Sequence, residues 1–354
     1  MSGKAFPFLL VFLVPFSVLI GWSLGGAWTF LTPLFVFGIV PLLDHAVGVS
    51  KANPSPEEEQ ALARARFFRY INWACAPVQV CMVIWAAWTA TRGSASFLEL
   101  SGLVVSVGIC SAVIGINAAH ELVHRIDNSF EPLLGRLMLA TTAYAHWASE
   151  HVKGHHRNVA TPEDPATARL GESFYAFLPR TVIGGLKSAW RIESSLALRR
   201  RKRPWSLANP VVTWTAFEVL LGIGLWAFLG FGALVFYLAQ ALVAVCLLEA
   251  VNYLEHYGLE RKKAPSGQYE RVTPIHSWNA DQWLTNRFLF NLQRHSDHHA
   301  NPQRRYQLLR RFEESPQLPT GYAGMVPVAL VPGLWRRVMD RRVAEYRSWG
   351  AQSR

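Results

Sequence analysis

Cysteine is scarce in this chain. Its 354 residues include four, Cys75, Cys81, Cys110 and Cys246, each inside an apolar run and none in a CxxC pair. That excludes a cysteine-bound iron–sulfur cluster or rubredoxin-like iron within the chain, and a buried free thiol acting as a small hydrophobe accounts for each of them. A dinucleotide fingerprint is missing too. Gly222-Ile223-Gly224 with Ala227 matches GxGxxA by letters, but it falls mid-run with no strand before it. There is no internal repeat and no low-complexity stretch. Acidic residues are outnumbered, 24 against 35 basic, for a net charge of +11, yet no nucleic-acid-binding signature accompanies the excess. A cleavable leader is not expected either: Lys4 is the one cation before the first apolar run, and no small-x-small site precedes the second.

What the chain has in abundance is apolar sequence. Hydrophobic residues make up 51% of it, with 14 tryptophans. Apolar runs cover residues 6–22, 24–43, 71–90, 97–116, 211–229 and 231–251, each near the ~20 residues a membrane-spanning helix requires. The expected fold is therefore an all-α integral membrane protein with six transmembrane helices, treated as one domain over 1–354. The first two runs and the last two are nearly contiguous and should form helical hairpins. Pro15, Pro33 and Pro77 lie within runs, where a neighbouring helix can satisfy the backbone group that proline frees. The Pro/Glu-rich stretch at 53–60 should lead into a helix at the membrane surface.

Lysine and arginine set the orientation. They gather in segments 44–70, 117–210 and 252–354, including Arg199-Arg200-Arg201-Lys202-Arg203, whereas Arg92 is the single cation in the opposite turns. Both termini and a cap formed by 117–210 and 252–354 are expected on the cytoplasmic side, in a bacterial inner membrane. The basic run reads as a topology anchor.

Histidine carries the chemistry. Nine of the twelve fall into four groups: His120 and His124; His151, His155 and His156; His256; and His295, His298 and His299. Residues three or four apart share a helix face, so His120 with His124, His151 with His155, and His295 with His298 are each expected to grip one ion. Neutral imidazole is the commonest side-chain metal ligand. Nine are too many for a single ion, and two metals are the simplest count. His45, His146 and His276 stand alone and read as surface or satisfied core residues. His120-Glu121-Leu122-Val123-His124 by itself would also fit a zinc protease with Glu121 as general base, but such a site does not need seven further imidazoles. A metal carrier would want ionisable residues stacked through the spans, whereas the histidines gather at one side.

The groups emerge where helices leave the bilayer. Asn117, His120 and His124 form one helical stripe at the end of the fourth run, and Glu249, Asn252 and His256 form another at the end of the sixth. Carboxylates accompany every group: Glu121, Glu150, Asp164, Glu255 and Asp297, together with Glu249 and Asn252. Metal-bound imidazole commonly donates its other N–H to such a partner, so these seven are expected to orient ligands. Glu218 lies inside the fifth run and reads equally as an interhelical hydrogen-bonding residue.

The strings HELVHR (120–125), EHVKGHHRNVATPEDPATAR (150–169), NYLEHYGL (252–259) and LQRHSDHHANP (292–302) resemble the signature boxes of the membrane alkane monooxygenases. These belong to the wider membrane desaturase/hydroxylase group, whose di-iron centre is held by histidine. The likeness extends to PLLDH (41–45), HSWN (276–279), LPTGYAGM (318–325) and PGLWRRVMDRRV (332–343). It departs at Thr167, Arg125 and Ala280, which leaves substrate choice open. The resemblance implies nine iron ligands, His120, His124, His151, His155, His156, His256, His295, His298 and His299, and two iron ions. It implies terminal hydroxylation of medium- or long-chain n-alkanes by O2 with two electrons and two protons. It also implies rubredoxin, or a ferredoxin, with its NAD(P)H-dependent reductase as electron donor. Within the same group, hydroxylation of a methyl on an aromatic ring (xylene, p-cymene), or acyl-chain hydroxylation or desaturation, is the alternative; the 252–258 motif argues against the acyl enzymes.

Overall fold

The computed structural model describes residues 2–352 except 94 and 126. Six helices in it are long and apolar enough to cross a bilayer, so the protein is a multi-pass membrane protein. Two are α1 (Phe6–Leu24) and α2 (Gly26–Val47). A surface helix, α3 (Pro56–Arg64), precedes spans α4 (Phe67–Ala90) and α5 (Phe97–Val123). After α6 (Phe130–Ala140), α7 (Trp147–Glu150) and α8 (Phe174–Arg199) come spans α9 (Pro210–Leu229) and α10 (Phe231–His256). The chain closes with α11 (Trp283–Phe288), α12 (His295–Ala300), α13 (Tyr322–Ala329) and α14 (Pro332–Gln352).

Hairpins form where the apolar runs nearly touch, because glycine turns the chain there. Gly25 (φ 70°) separates α1 from α2, and Gly230 (φ 93°) separates α9 from α10, left-handed conformations that favour glycine. α3 begins as its sequence predicts: Ser55 and Glu58 form a reciprocal capping box, with Pro56 in the first turn. Large apolar side chains such as Leu42, Phe228 and Leu242 stand exposed on the outer faces of the spans, as lipid contact requires.

Two spans outrun their apolar stretches. α5 continues from the expected boundary at 116 to Val123, and α10 from 251 to His256. Hydropathy ends where the ligand stripes begin, but the backbone hydrogen bonds do not. Asn117, His120, Asn252 and His256 thus ride on rigid extensions of membrane helices. The segment expected to lie wholly in the cap also reaches inward. Tyr237 and Gln240, midway along α10, donate to the backbone carbonyls of Ala140 (2.7 Å) and Thr141 (2.8 Å). Gln79 joins the same buried network through Ser111 (2.8 Å) and Thr141 (2.9 Å). Such pairing is what burial of polar groups away from water favours.

Remote segments are fastened over the bundle's end. Asp44, in the PLLDH string at the end of α2, accepts from the Thr285 amide (3.0 Å) and hydroxyl at α11. Arg294 donates to the carbonyls of Leu309 (2.6 Å) and Ala52 (3.1 Å). A second apolar cluster, with Tyr253, Tyr257, Trp278 and Trp335 at its heart, clamps α14 onto the α10 terminus.

Candidate metal centre

The nine grouped histidines converge, and they sort into two sets. His120, His124, His151, His156 and His298 offer ring nitrogens that all lie within 4.8 Å of one another; so do His155, His256, His295 and His299. The partition does not follow helical neighbours as expected. His120 stays with His124, but His151 joins His156 while His155 crosses to the other set, and His295 joins His299 while His298 crosses.

The cause at the first crossing is a wide turn. Residues His151–His155 form a π-helical turn, in which the His156 amide donates to the His151 carbonyl. Five-residue spacing brings positions 151 and 156 onto one face and turns 155 away. In α12 ordinary helical spacing serves: 295 and 299 share a face, and 298 lies to the side.

Within the sets the Nε2 atoms face each other. His124 and His156 lie 3.0 and 3.1 Å from His151, and His298 lies 3.0 Å from His156. In the second set His295 is 3.2 Å from His256 and 2.9 Å from His299. Two nitrogens each about 2.1 Å from one ion stand about 3.0 Å apart at a right angle and about 3.4 Å apart at a tetrahedral one. The close pairs, at 2.9–3.2 Å, suit ligands set near right angles, in two sets that could each hold one metal.

Electrostatics agree. Burial, reinforced by the neighbouring rings, holds His124, His151, His156, His295, His298 and His299 well below the ordinary imidazole range. Neutral rings are the form that binds metal. His155 goes the other way: burial opposes protonation, but Asp164, with Glu150 and Glu249 behind it, raises the ring. His155 Nδ1 is 2.9 Å from Asp164 Oδ2, which also accepts from Thr167 (2.6 Å). Asp164 is itself held low by that pairing, against the upward push of burial.

The other expected orienting residues have different partners. Glu121 pairs with Arg125 (2.6 Å), which removes it as a free general base of the HExxH kind. Asp297 binds Arg304 (2.7 Å), Asn301 (2.8 Å) and the Arg310 amide (2.7 Å), shaping the loop after α12. Glu249 accepts from Tyr144 (3.0 Å), Thr181 (2.8 Å) and Asn252 (3.0 Å). Glu150 lies near Ser188, its carboxyl pushed up to about 8 by burial and then by the charge of Asp164. Together with Asp164, Glu255 is the carboxylate that touches a ligand ring: its Oε2 is 3.1 Å from His295 Nε2.

Two contacts were not anticipated. The Trp147 indole stacks on His151 (centroids 4.2 Å apart, 17° between planes). The His276 carbonyl faces His256 Nδ1 at 3.4 Å, so a histidine that reads as an isolated core residue lends its backbone to a ligand. Adjacency to SEH was a weak signal for Trp147; nothing in the sequence marked a carbonyl twenty residues away.

An apolar cavity runs from α1 and α2 to both ligand sets. Val14, Val36, Val40, Leu248 and Phe288 are among its walls, and His120, His151 and His295 lie at its polar end.

The fatty acid desaturase family model matches residues 95–329, a stretch that contains all nine histidines. The chain belongs to the fatty acid desaturase family. Its relatives within that family include alkane 1-monooxygenase 2 of Pseudomonas aeruginosa, 43% identical over 92% of this chain and 88% of that protein. Alkane 1-monooxygenase 2 of Alcanivorax borkumensis is 41% identical over 97% and 90%. The hydroxylase component of a xylene/toluene monooxygenase from Pseudomonas putida is more distant, 28% identical over 67% and 63%. This desaturase-family chain therefore carries its histidines on a scaffold shared along nearly its whole length with proteins named for alkane oxidation.

Proposed function

We propose that this protein is an alkane 1-monooxygenase that converts the terminal methyl of a medium- or long-chain n-alkane to a primary alcohol. The balance is R–CH3 + O2 + 2e− + 2H+ → R–CH2OH + H2O. The carrying observation is a cavity with almost wholly apolar walls that ends on three of the clustered imidazoles. A linear hydrocarbon offers nothing to hydrogen-bond, so shape and dryness must hold it. Such a passage admits the chain end-first and presents its last carbon to the ligand sets.

The nine histidines would hold two irons, which when bound supply activation of O2 and oxidation of an unreactive C–H bond. The chain's own residues do the rest. Asp164 fixes the His155 tautomer with Nε2 inward, and the His276 carbonyl does the same for His256. The apolar walls, Val36, Val40, Phe288 and Leu289 among them, exclude water from the passage. Electrons come from outside, from rubredoxin or a ferredoxin with its reductase, because the chain has no cysteine cluster or dinucleotide motif of its own. The lysine and arginine distribution supports a cytoplasmic centre in a bacterial inner membrane, where basic cap residues attract an acidic carrier.

The test is metal analysis of the purified protein together with product identification from octane, hexadecane and p-cymene, given rubredoxin and its reductase. Two irons per chain and 1-alkanols are expected. A single zinc without alcohol would overturn the proposal, and turnover confined to p-cymene would move it to the methylaromatic hydroxylases.

A further inference from the structure

We propose that Glu255 is a metal ligand, the fifth of the second set, which has four imidazoles where the first has five. This rests on the dinuclear reading above.

The argument starts at one nitrogen. His295 Nε2 has three close neighbours: His256 Nε2 at 3.2 Å, His299 Nε2 at 2.9 Å and Glu255 Oε2 at 3.1 Å. A ring nitrogen carries at most one proton and can donate to one of them. If His295 binds metal through Nε2, it carries none, and a lone pair then faces a carboxylate oxygen 3.1 Å away. Two acceptors at that separation repel unless a metal ion or a shared proton lies between them. The oxygen–nitrogen distance also falls within the 2.9–3.2 Å that separates the ligand nitrogens from each other.

Placement supports the role. Glu255 is 2% exposed and sits one residue before His256, near the rigid end of α10. Its backbone is pinned, since its carbonyl accepts from the Trp278 amide (2.8 Å). It borders the apolar cavity beside His295, and the Tyr322 hydroxyl lies against its side chain. Arginine and lysine, which neutralise Glu121 and Glu193 elsewhere, form no salt bridge with it among the described residues. That leaves a proton or a metal to neutralise it, and the open fifth position of the second set favours the metal. With Glu255 the second centre has four nitrogens and one oxygen, and the two centres differ in the donor that meets the substrate passage.

The test is Glu255→Gln in the full-length, detergent-solubilised protein loaded with Co(II), read by visible absorption and by release to a chelator. Glutamine keeps the hydrogen-bonding oxygen but is a far weaker ligand, so it would rescue a positioning residue and not a metal donor. The expected result is two release phases, one as in wild type and one at least about tenfold faster. The fast site should also gain the more intense d–d absorption of a lower coordination number. Unchanged absorption with both phases within twofold of wild type overturns the proposal and leaves the dinuclear reading standing. Should Glu255→Gln not fold, Glu255→Asp is read the same way: a faster phase supports the assignment, and unaltered release and absorption overturn it. Uptake of a single cobalt by wild type would overturn the dinuclear reading and this proposal together.

Discussion

His151 and His156 are five residues apart with Nε2 atoms 3.1 Å from each other, while His155 between them serves the opposite ligand set. One widened turn therefore distributes three neighbouring histidines over two centres. Inserting an alanine after Val152 should put His151 and His156 six positions apart, too many for one turn, and misdirect the rings that follow it. The expected outcome is loss of metal from both sets, with helical content by circular dichroism within a few per cent of wild type. Retention of two metals would show that the turn is dispensable.

Adjacent ligands should likewise report on different centres. His298→Ala weakens the five-imidazole set and His299→Ala the four-imidazole set. Each variant should keep one tightly held metal and release the other faster. Identical release kinetics and spectra for the two variants would contradict the partition.

Asp164 orients His155 from 2.9 Å. Asp164→Asn leaves the size of the side chain unchanged but permits the wrong ring tautomer. Metal affinity of the second set should fall by roughly 10- to 100-fold, measured by competition with a calibrated chelator. Thr167→Val, which removes a hydrogen bond to Asp164 rather than Asp164 itself, should have a smaller effect in the same direction.

Chain-length preference should respond to the cavity wall at α2. Val36→Trp adds bulk to a wall made by Val14, Val36 and Val40, at an overpacking cost of about 1–3 kcal/mol. Turnover of hexadecane should drop by roughly tenfold relative to octane, determined from alcohol yields in competition. Equal losses for both alkanes would place the substrate elsewhere.

His146 gives an acid-side signature. Burial lowers its ring from 6.5 to about 4. Between those values the unfolded chain binds a proton that the folded one refuses, so stability is lost as pH falls from about 6.5 towards 4. The ring keeps some contact with solvent, which makes about 3 kcal/mol an upper limit. His146→Asn should flatten the fall of Tm between pH 6.5 and 4.5 in detergent, while leaving the neutral-pH metal content at two.

Span number and the histidines that cluster were legible in the residues themselves, because both are local properties. Hydropathy over ~20 residues marks a helix that can live in lipid, and nine imidazoles in four groups announce metal whatever the fold. Helix ends were less legible: α5 and α10 extend past their apolar stretches to carry Asn117, His120, Asn252 and His256. Here backbone hydrogen bonding continues after hydropathy stops. The allocation of His155 and His298 came from tertiary structure alone, since it depends on a single extra residue in one turn and on how α12 is rotated against the bundle. So did the separate duties of Glu121, Asp164, Asp297 and Glu255. Each carboxylate stands beside a histidine motif in sequence, yet its partner, from four residues away for Glu121 to forty for Glu255, is chosen by packing and not by adjacency to the motif.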